Sequence, residues 1–156
     1  MYNVYKFKLY LNRIQKELIN KMFGCTRFVY NYYLEKMKKD GYVYAYNNIN
    51  DYVINLKYKF LFLQEIDSIV IRRSIFNLDA AYQKMYKEGK VVSVFKSKFG
   101  KNSYNTDAIY NTYKDKQYCN IELDLIKRQV KLPKLKWVKI EVHRNKIKST
   151  VATIGS

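Results

Sequence analysis

Residues 4–11 alternate in character, with Tyr5, Phe7, Leu9 and Leu11 on one side and Lys6 and Lys8 on the other. That period predicts a half-buried strand. Beyond Leu11 the period lengthens. Asn12 reads as an N-cap with Gln15 three residues on, a variant of the capping box. Ile14, Leu18 and Met22, spaced by four, then share one helix face. Gly24 predicts a break, and a second helix is expected from about Thr26 to Lys39, with Tyr30, Leu34 and Met37 on one stripe and Asp40-Gly41 at its end. A weaker helix is expected over Tyr46–Lys57, capped by Asn47. The strongest helical signal lies between Ser68 and Tyr86, where Ile71, Ile75, Leu78, Tyr82 and Met85 step by 4, 3, 4 and 3 residues. Asp67 is its expected N-cap, and Gly89 closes it.

After Gly89 the pattern turns extended. Residues 90–107 are basic and β-prone. Ile121, Leu123 and Leu125 alternate with Glu122 and Asp124; Val130 and Leu132 flank Lys131; Val138, Ile140 and Val142 alternate with Lys139, Glu141 and His143. Residues 147–154 predict a last strand. The order is therefore one strand, about four helices, then four to six strands. The first strand needs hydrogen-bonding partners, and these come from the C-terminal half. This is an α+β fold: a small β-sheet or barrel with a helical insertion after its first strand. No internal repeat or low-complexity linker is visible.

Composition narrows the function. The chain has 156 residues, 48% of them hydrophobic, which suits one packed domain or a small domain with an insertion. Its 30 Lys+Arg against 13 Asp+Glu give a net charge of +17, which attracts polyanions, either nucleic acid or an anionic membrane surface. Low-GC coding bias raises Lys, Asn, Ile and Tyr, but it should raise Glu as well, so it explains +17 less well. The 17 Tyr beside so many Lys suit nucleic acid, where bases stack on rings and cations meet phosphates. Cys25 and Cys119 lie far apart with no C-x-x-C, and the single His143 completes no zinc site. Free thiols in a reducing, intracellular setting are expected. The N-terminus MYNVYKFKLY has no apolar h-region, and no run approaches the ~18 apolar residues of a membrane span, so no membrane association is expected.

Chemistry-bearing motifs are scarce. The sequence has no P-loop, G-x-G-x-x-G, G-x-S-x-G or H-E-x-x-H, and it implies no cofactor. Glu65, Asp67 and Asp79 read as capping and surface groups, Cys25 as a buried thiol and His143 as an ordinary strand residue. Nucleic-acid binding is better supported. Arg72 and Arg73 lie near the start of the long helix, and Arg forks onto phosphates or guanine edges. Lys84, Lys87, Lys90, Lys96, Lys98 and Lys101 run beside Phe95, Phe99 and Tyr104, a mixture that suits backbone neutralisation plus stacking. Lys131, Lys134, Lys136 and Lys139 surround Pro133 on a hairpin; strand alternation should make one face of that sheet basic and the other apolar. The pair of helices around Gly24 also allows a helix-turn-helix, with Arg27, Asn31, Tyr32 and Tyr33 turned outward from the second helix.

Four blocks carry a resemblance. Residues 7–34, FKLYLNRIQKELINKMFGCTRFVYNYYL, resemble the N-terminus of the TnpB (OrfB) proteins encoded by insertion sequences, in which a strand ending in Y-P-N leads into a helix and then G-x-x-R-F-V-Y-N. Here these are Tyr10-Leu11-Asn12 and Gly24-Cys25-Thr26-Arg27-Phe28-Val29-Tyr30-Asn31. LQEIDSIVIRRSIFNLDAAYQKMY is similar to the family's L-x-x-V-D…L-x-x-L-x-x-A-Y/F helix. FKSKFGKNSYNT is similar to F-K-x-K…S-Y-x-T, and KLPKLKWVKI to K-L-P-K-L-G-W-V-K, with Lys136 where the family often has Gly. The blocks follow family order along nearly the whole chain.

TnpB proteins are transposon-encoded, RNA-guided DNA endonucleases related to type V CRISPR effectors. The resemblance implies an OB-like wedge β-barrel at 1–11 and 90–156, with a helical recognition-lobe-like insertion at 12–89. It implies structured guide RNA and double-stranded DNA as partners. The residues matching positions near the transposon-adjacent motif are Tyr46, Asn50, Ser68, Ile69 and Arg72. The family continues into an RuvC nuclease domain with a zinc ribbon, whereas this chain ends at Ile154-Gly155-Ser156. A non-catalytic module is therefore expected, with a separate nuclease domain or a second copy as further partners and a cytoplasmic, nucleoid-associated place in a prokaryote. The nucleic-acid contacts expected are Arg27, Tyr46, Asn50, Ser68, Arg72, Arg73, Lys96, Lys98, Tyr104, Lys131, Lys134 and Lys139. The alternative is a guide-independent helix-turn-helix DNA-binding protein or repressor.

Overall fold

Long helices and short antiparallel strands make up the protein, as seen in a computed structural model that describes residues 4–41, 48–89, 94–142 and 151–155. The order is β1 (Leu9–Tyr10), α1 (Arg13–Asp40), α2 (Ile49–Lys59), a 3-10 turn (Leu61–Glu65), α3 (Ser68–Glu88), β2 (Ser103–Asp107), β3 (Tyr110–Tyr113), β4 (Lys116–Cys119), β5 (Glu122–Asp124), β6 (Gln129–Leu132), β7 (Lys136–Ile140) and β8 (Val151–Gly155). The fold is mixed α and β, with the helices inserted after the first strand. The chain divides into two compact units, one formed by Met1–Asn20 and Thr106–Thr153, the other by Lys21–Asn105 and Ile154–Ser156.

The first unit is built on a four-stranded antiparallel sheet of order β1-β7-β6-β5. The first strand does find its partner in the C-terminal half: Leu9 pairs with Ile140 and Tyr10 with Lys139, and Glu141 N donates to Lys8 O at 3.0 Å. Regular pairing covers fewer residues than the 4–11 alternation suggests, yet Tyr5, Phe7, Leu9 and Leu11 are half-buried while Lys6, Lys8 and Tyr10 are exposed. Among the described residues the sheet does not close into a barrel. Asn12 and Gln15 form the expected capping box, with Gln15 N donating to Asn12 Oδ1 at 2.8 Å and Asn12 N to Gln15 Oε1 at 3.1 Å. The same Gln15 donates from Nε2 to Leu135 O and Trp137 O, at 3.3 and 2.9 Å. One side chain thus starts the helix and pins the β6–β7 turn to it.

The helical unit holds the larger core. Met22, Val29, Leu34, Leu63, Ile66, Val70, Ile71, Ile75 and Leu78 are fully buried. Asp67 caps α3 by accepting from Ile69 N at 3.1 Å, and Gly89 ends it in the left-handed region at φ 61°, as the sequence predicts.

Several expectations need correction. Gly24 does not break the chain into two helices: α1 runs unbroken from Arg13 to Asp40. A mid-helix glycine costs only about 1 kcal/mol relative to alanine, and burial of Met22, Phe23, Cys25 and Val29 around it outweighs that. Gly41, at φ 82°, is the glycine with helix-ending geometry. Ile14 is 75% exposed rather than on the buried face. α2 begins at Ile49 after Asn48, whose side chain makes no capping bond; Tyr46 and Asn47, assigned to this helix and its cap from sequence, lie outside the described residues. Residues 94–102 form no strand, and the β3–β4 hairpin appears instead farther on. His143 and residues 147–150 of the expected last strand also lie outside the described residues.

Candidate nucleic-acid interface

Alternation along β6 and β7 gives the first unit's sheet two different faces. Leu132, Val138 and Ile140 are buried. On the other side, register places Lys131 opposite Trp137 and Gln129 opposite Lys139, Tyr10 beside Lys139 and Glu122 beside Lys131. The outer face is thus polar and cationic but not uniformly basic. Lys131 Nζ pairs with Glu122 Oε1 at 3.3 Å, and Tyr10 OH donates to Glu141 Oε2 at 3.4 Å while Lys8 Nζ sits 5.4 Å from the Tyr10 ring centre. Lys134 and Lys139 are exposed and make no ion pair among the described residues. Two rings escaped the sequence reading. Tyr10 is 48% exposed and Trp137 38%, and strand parity with Lys8 and Lys139 was enough to place them on the lysine side.

In the helical unit, α1 clamps residues 94–105. Asn31 Nδ2 donates to Lys96 O at 2.9 Å, and Lys96 N donates to Asn31 Oδ1 at 2.8 Å, so one amide replaces a strand partner. Arg27 donates to Asn102 Oδ1. Lys96 Nζ lies 4.1 Å from the Tyr30 ring centre. Partial desolvation of that ammonium lowers its pKa, although the residue as a whole is exposed. Lys38 lies 4.6 Å from the Phe95 ring centre. Tyr104 is 2% exposed and packs against Phe23 with ring centres 5.9 Å apart; burial raises its pKa. Its ring is a core element and is not open to a base.

Residues 1–42 match the family model of the OrfB_IS605 helix-turn-helix domain. Over that stretch the chain is similar to the N-terminal region of IS605/OrfB, TnpB-like, transposon-associated proteins. No curated protein matches the chain. The matched OrfB stretch contains β1 and the unbroken α1 rather than two helices around a turn at Gly24. Within it, Arg27 and Asn31 face residues 94–102 and Tyr33 is buried, so the outward set expected for a second helix does not form.

The remaining expected contacts lie on the helices and the lysine-rich segment. Asn50 is exposed in the first turn of α2, and Arg72 and Arg73 are half-buried on α3. Lys57 links these two helices: its Nζ donates to Ser68 Oγ at 2.7 Å and to Ile66 O at 3.2 Å. Ser68 is therefore already engaged, though exposed. Lys98 is exposed. Lys131 is half-buried and ion-paired.

Sequence reasoning also missed an aromatic cluster. Phe28 packs edge-on against Phe60 and Phe62, with ring centres 4.7 and 5.0 Å apart, and Tyr32 packs against Phe60 at 5.3 Å. Lys59 Nζ donates to Tyr32 OH at 3.0 Å. Only tertiary proximity joins positions so far apart in sequence. Cys25 is buried and its thiol pKa is raised, chiefly by desolvation, so it is placed as a structural thiol. Among the described residues, no group of three or more His, Cys, Asp or Glu is arranged to hold a metal ion, and no helix is long and apolar enough to cross a membrane.

Proposed function

We propose that this protein is a non-catalytic nucleic-acid-binding module of the TnpB type, which grips guide-type RNA and target DNA near a transposon-adjacent motif. The observation that carries the reading is the outer sheet face, where Lys8, Lys131 and Lys139 stand among the partly exposed rings of Tyr10 and Trp137. Lysines on strands neutralise a phosphate backbone, and rings beside them accept bases. The net charge of +17 and the OrfB_IS605 match support the same class. In such a module sequence choice rests mainly with the guide, and the protein reads shape, backbone and a short motif. Asn50, Arg72 and Arg73 on α2 and α3 are then the motif-side contacts, and Lys134 and Lys139 the RNA-side contacts.

The test is a titration with structured RNA over a range of salt. The logarithm of affinity should fall linearly with the logarithm of salt, and Lys134→Ala/Lys139→Ala should weaken binding and reduce the slope by roughly 1–2. A salt-independent affinity refutes the electrostatic footprint. A second reading, a guide-independent DNA-binding protein, is favoured by the helix-turn-helix description of the matched family. It requires tight, sequence-specific binding to duplex DNA without RNA, abolished by Arg72→Ala.

A further inference from the structure

The β3–β4 hairpin stands apart from the four-stranded sheet. Among the described residues its strands pair only with each other, Tyr110 with Cys119, Asn111 with Tyr118, Thr112 with Gln117 and Tyr113 with Lys116. Residues Tyr110–Tyr118 are exposed on both faces of the ribbon. A two-stranded hairpin with no buried face is marginal in water, so its side chains are not there to fill a core.

Its root is nonetheless firm. Asn120 Oδ1 accepts from Ile109 N at 2.7 Å, Asn120 Nδ2 donates to Asp107 O at 2.9 Å, and Asn120 N donates to Ile109 O at 3.3 Å. The tip is a two-residue turn with Lys114 at φ 48° and Asp115 at φ 60°. Two successive positive φ values are the signature of the turn that matches strand twist in a hairpin. The arm is therefore anchored at one end and tightly turned at the other.

What it displays is specific. Tyr110, Tyr113 and Tyr118 are 55%, 64% and 51% exposed, and none packs on another aromatic ring among the described residues. Pairing parity puts Tyr113 and Tyr118 on one face as diagonal neighbours, with Asn111 and Lys116 beside them. Lys114 Nζ lies 5.4 Å from the Tyr113 ring centre. Strands YNTY and KQYC contain no Leu, Ile, Val, Phe or Met. A surface built to dock a protein or a second copy has an apolar centre, which this one lacks. Open rings, ammonium groups and an amide are the chemistry of unpaired nucleotides: rings for base faces, cations for phosphates, and Asn111 opposite Tyr118 for a ribose hydroxyl.

We infer that the β3–β4 hairpin is a stacking arm for unpaired RNA, with Tyr113 and Tyr118 as its base platforms and Lys114 and Lys116 at the backbone. This rests on the nucleic-acid-binding reading but assigns it a separate site, away from the lysines of the outer sheet face.

The experiment uses the full chain and three probes of equal length: a short unstructured RNA containing one 2-aminopurine, a fully paired RNA duplex, and the DNA version of the single strand. Tyr113→Ile/Tyr118→Ile keeps strand propensity and removes the rings. It should weaken binding of the unstructured RNA by about tenfold or more, leave duplex affinity within about twofold, and preserve the salt slope. Tyr113→Phe/Tyr118→Phe keeps the rings and should bind like the parent. In the parent, 2-aminopurine fluorescence should be quenched on binding, a readout that does not depend on the variants folding. Unchanged binding by the Ile pair, equal losses on duplex and single strand, or no quenching in the parent overturns the arm while leaving the salt-dependent sheet contact standing. An equal loss on single-stranded DNA overturns the commitment to RNA. A parent that binds no probe overturns both the arm and the reading beneath it.

Discussion

In the helical unit, the described backbone positions with left-handed φ are glycines: Gly41 at 82° and Gly89 at 61°. In the sheet unit they are Lys114, Asp115, Arg128, Lys134 and Lys136, at 48° to 67°. Glycine adopts that conformation freely, whereas a residue with a Cβ loses roughly 1–2 kcal/mol there. Cores differ in the same sense. Among the described residues, fully buried large side chains concentrate in the helical unit, while Val138 and Thr106 are those of the sheet unit. One region uses residue types that suit its backbone. The other accepts strain at its turns and keeps four cationic side chains there. Strain held in this way points toward function, and here it holds positive charge at the tips from which a phosphate backbone is most easily reached.

The comparison breaks most visibly if the two units unfold as one. Leu78 is fully buried in the helical core, so Leu78→Ala should cost about 2–5 kcal/mol. Helical ellipticity reports mainly on α1–α3, and Trp137, the single tryptophan, reports on the sheet. In urea, the parent's Trp137 transition should come at lower denaturant than the loss of ellipticity. Leu78→Ala should move the ellipticity midpoint much more than the Trp137 midpoint. Coincident transitions that shift together would show one cooperative block, and the contrast between the cores would then carry no energetic meaning.

A middle-sized effect sharpens the role of α1. Asn31→Ala removes both bonds to Lys96, and Arg27→Ala removes the one to Asn102. Each should loosen residues 94–102 by about 1–2 kcal/mol, read as faster amide exchange at Lys96, with ellipticity almost unchanged. If Arg27→Ala leaves exchange untouched and instead weakens nucleic-acid binding, Arg27 is a contact residue after all, as the sequence pattern suggested.

These cases show what the sequence made legible. Local devices were readable because their physics is local: the Asn12–Gln15 box, the Asp67 cap, the Gly89 stop and the alternation that buries Leu132, Val138 and Ile140. The partner of β1 was readable too, because an unpaired strand has few places to go. Gly24 misled because a glycine signals a helix end only where the chain turns left-handed, and burial decided otherwise. The clamp of Arg27 and Asn31 onto residues 94–102 was hidden, since it joins segments far apart in sequence and uses residue types that equally suit nucleic acid. Tyr104 failed as a stacking residue for the same reason, because an aromatic among lysines looks alike in a core and on a surface. The β3–β4 hairpin was missed because Lys-Asp is a poor turn signal beside Asn-Gly.

The smallest effects test the contrast most directly, through a pair of opposite substitutions. Gly24 lies inside α1, where an added Cβ would meet only Arg27 Nη2 at 3.9 Å, so Gly24→Ala should stabilise the helical unit by about 1 kcal/mol. Lys136 sits at φ 59° at the start of β7 and is exposed. Lys136→Gly should relieve its strain, offset partly by the greater freedom of glycine in the unfolded chain, for a net gain of about 0.5–1 kcal/mol read at Trp137. The two gains should add, since they act in different units. Their functional consequences should differ. Gly24→Ala leaves nucleic-acid affinity unchanged, whereas Lys136→Gly removes a turn cation and should lower the salt slope by up to about 1. A Lys136→Gly variant that is more stable and binds RNA with an unaltered slope would mean that the strain in the sheet unit serves no contact with phosphate.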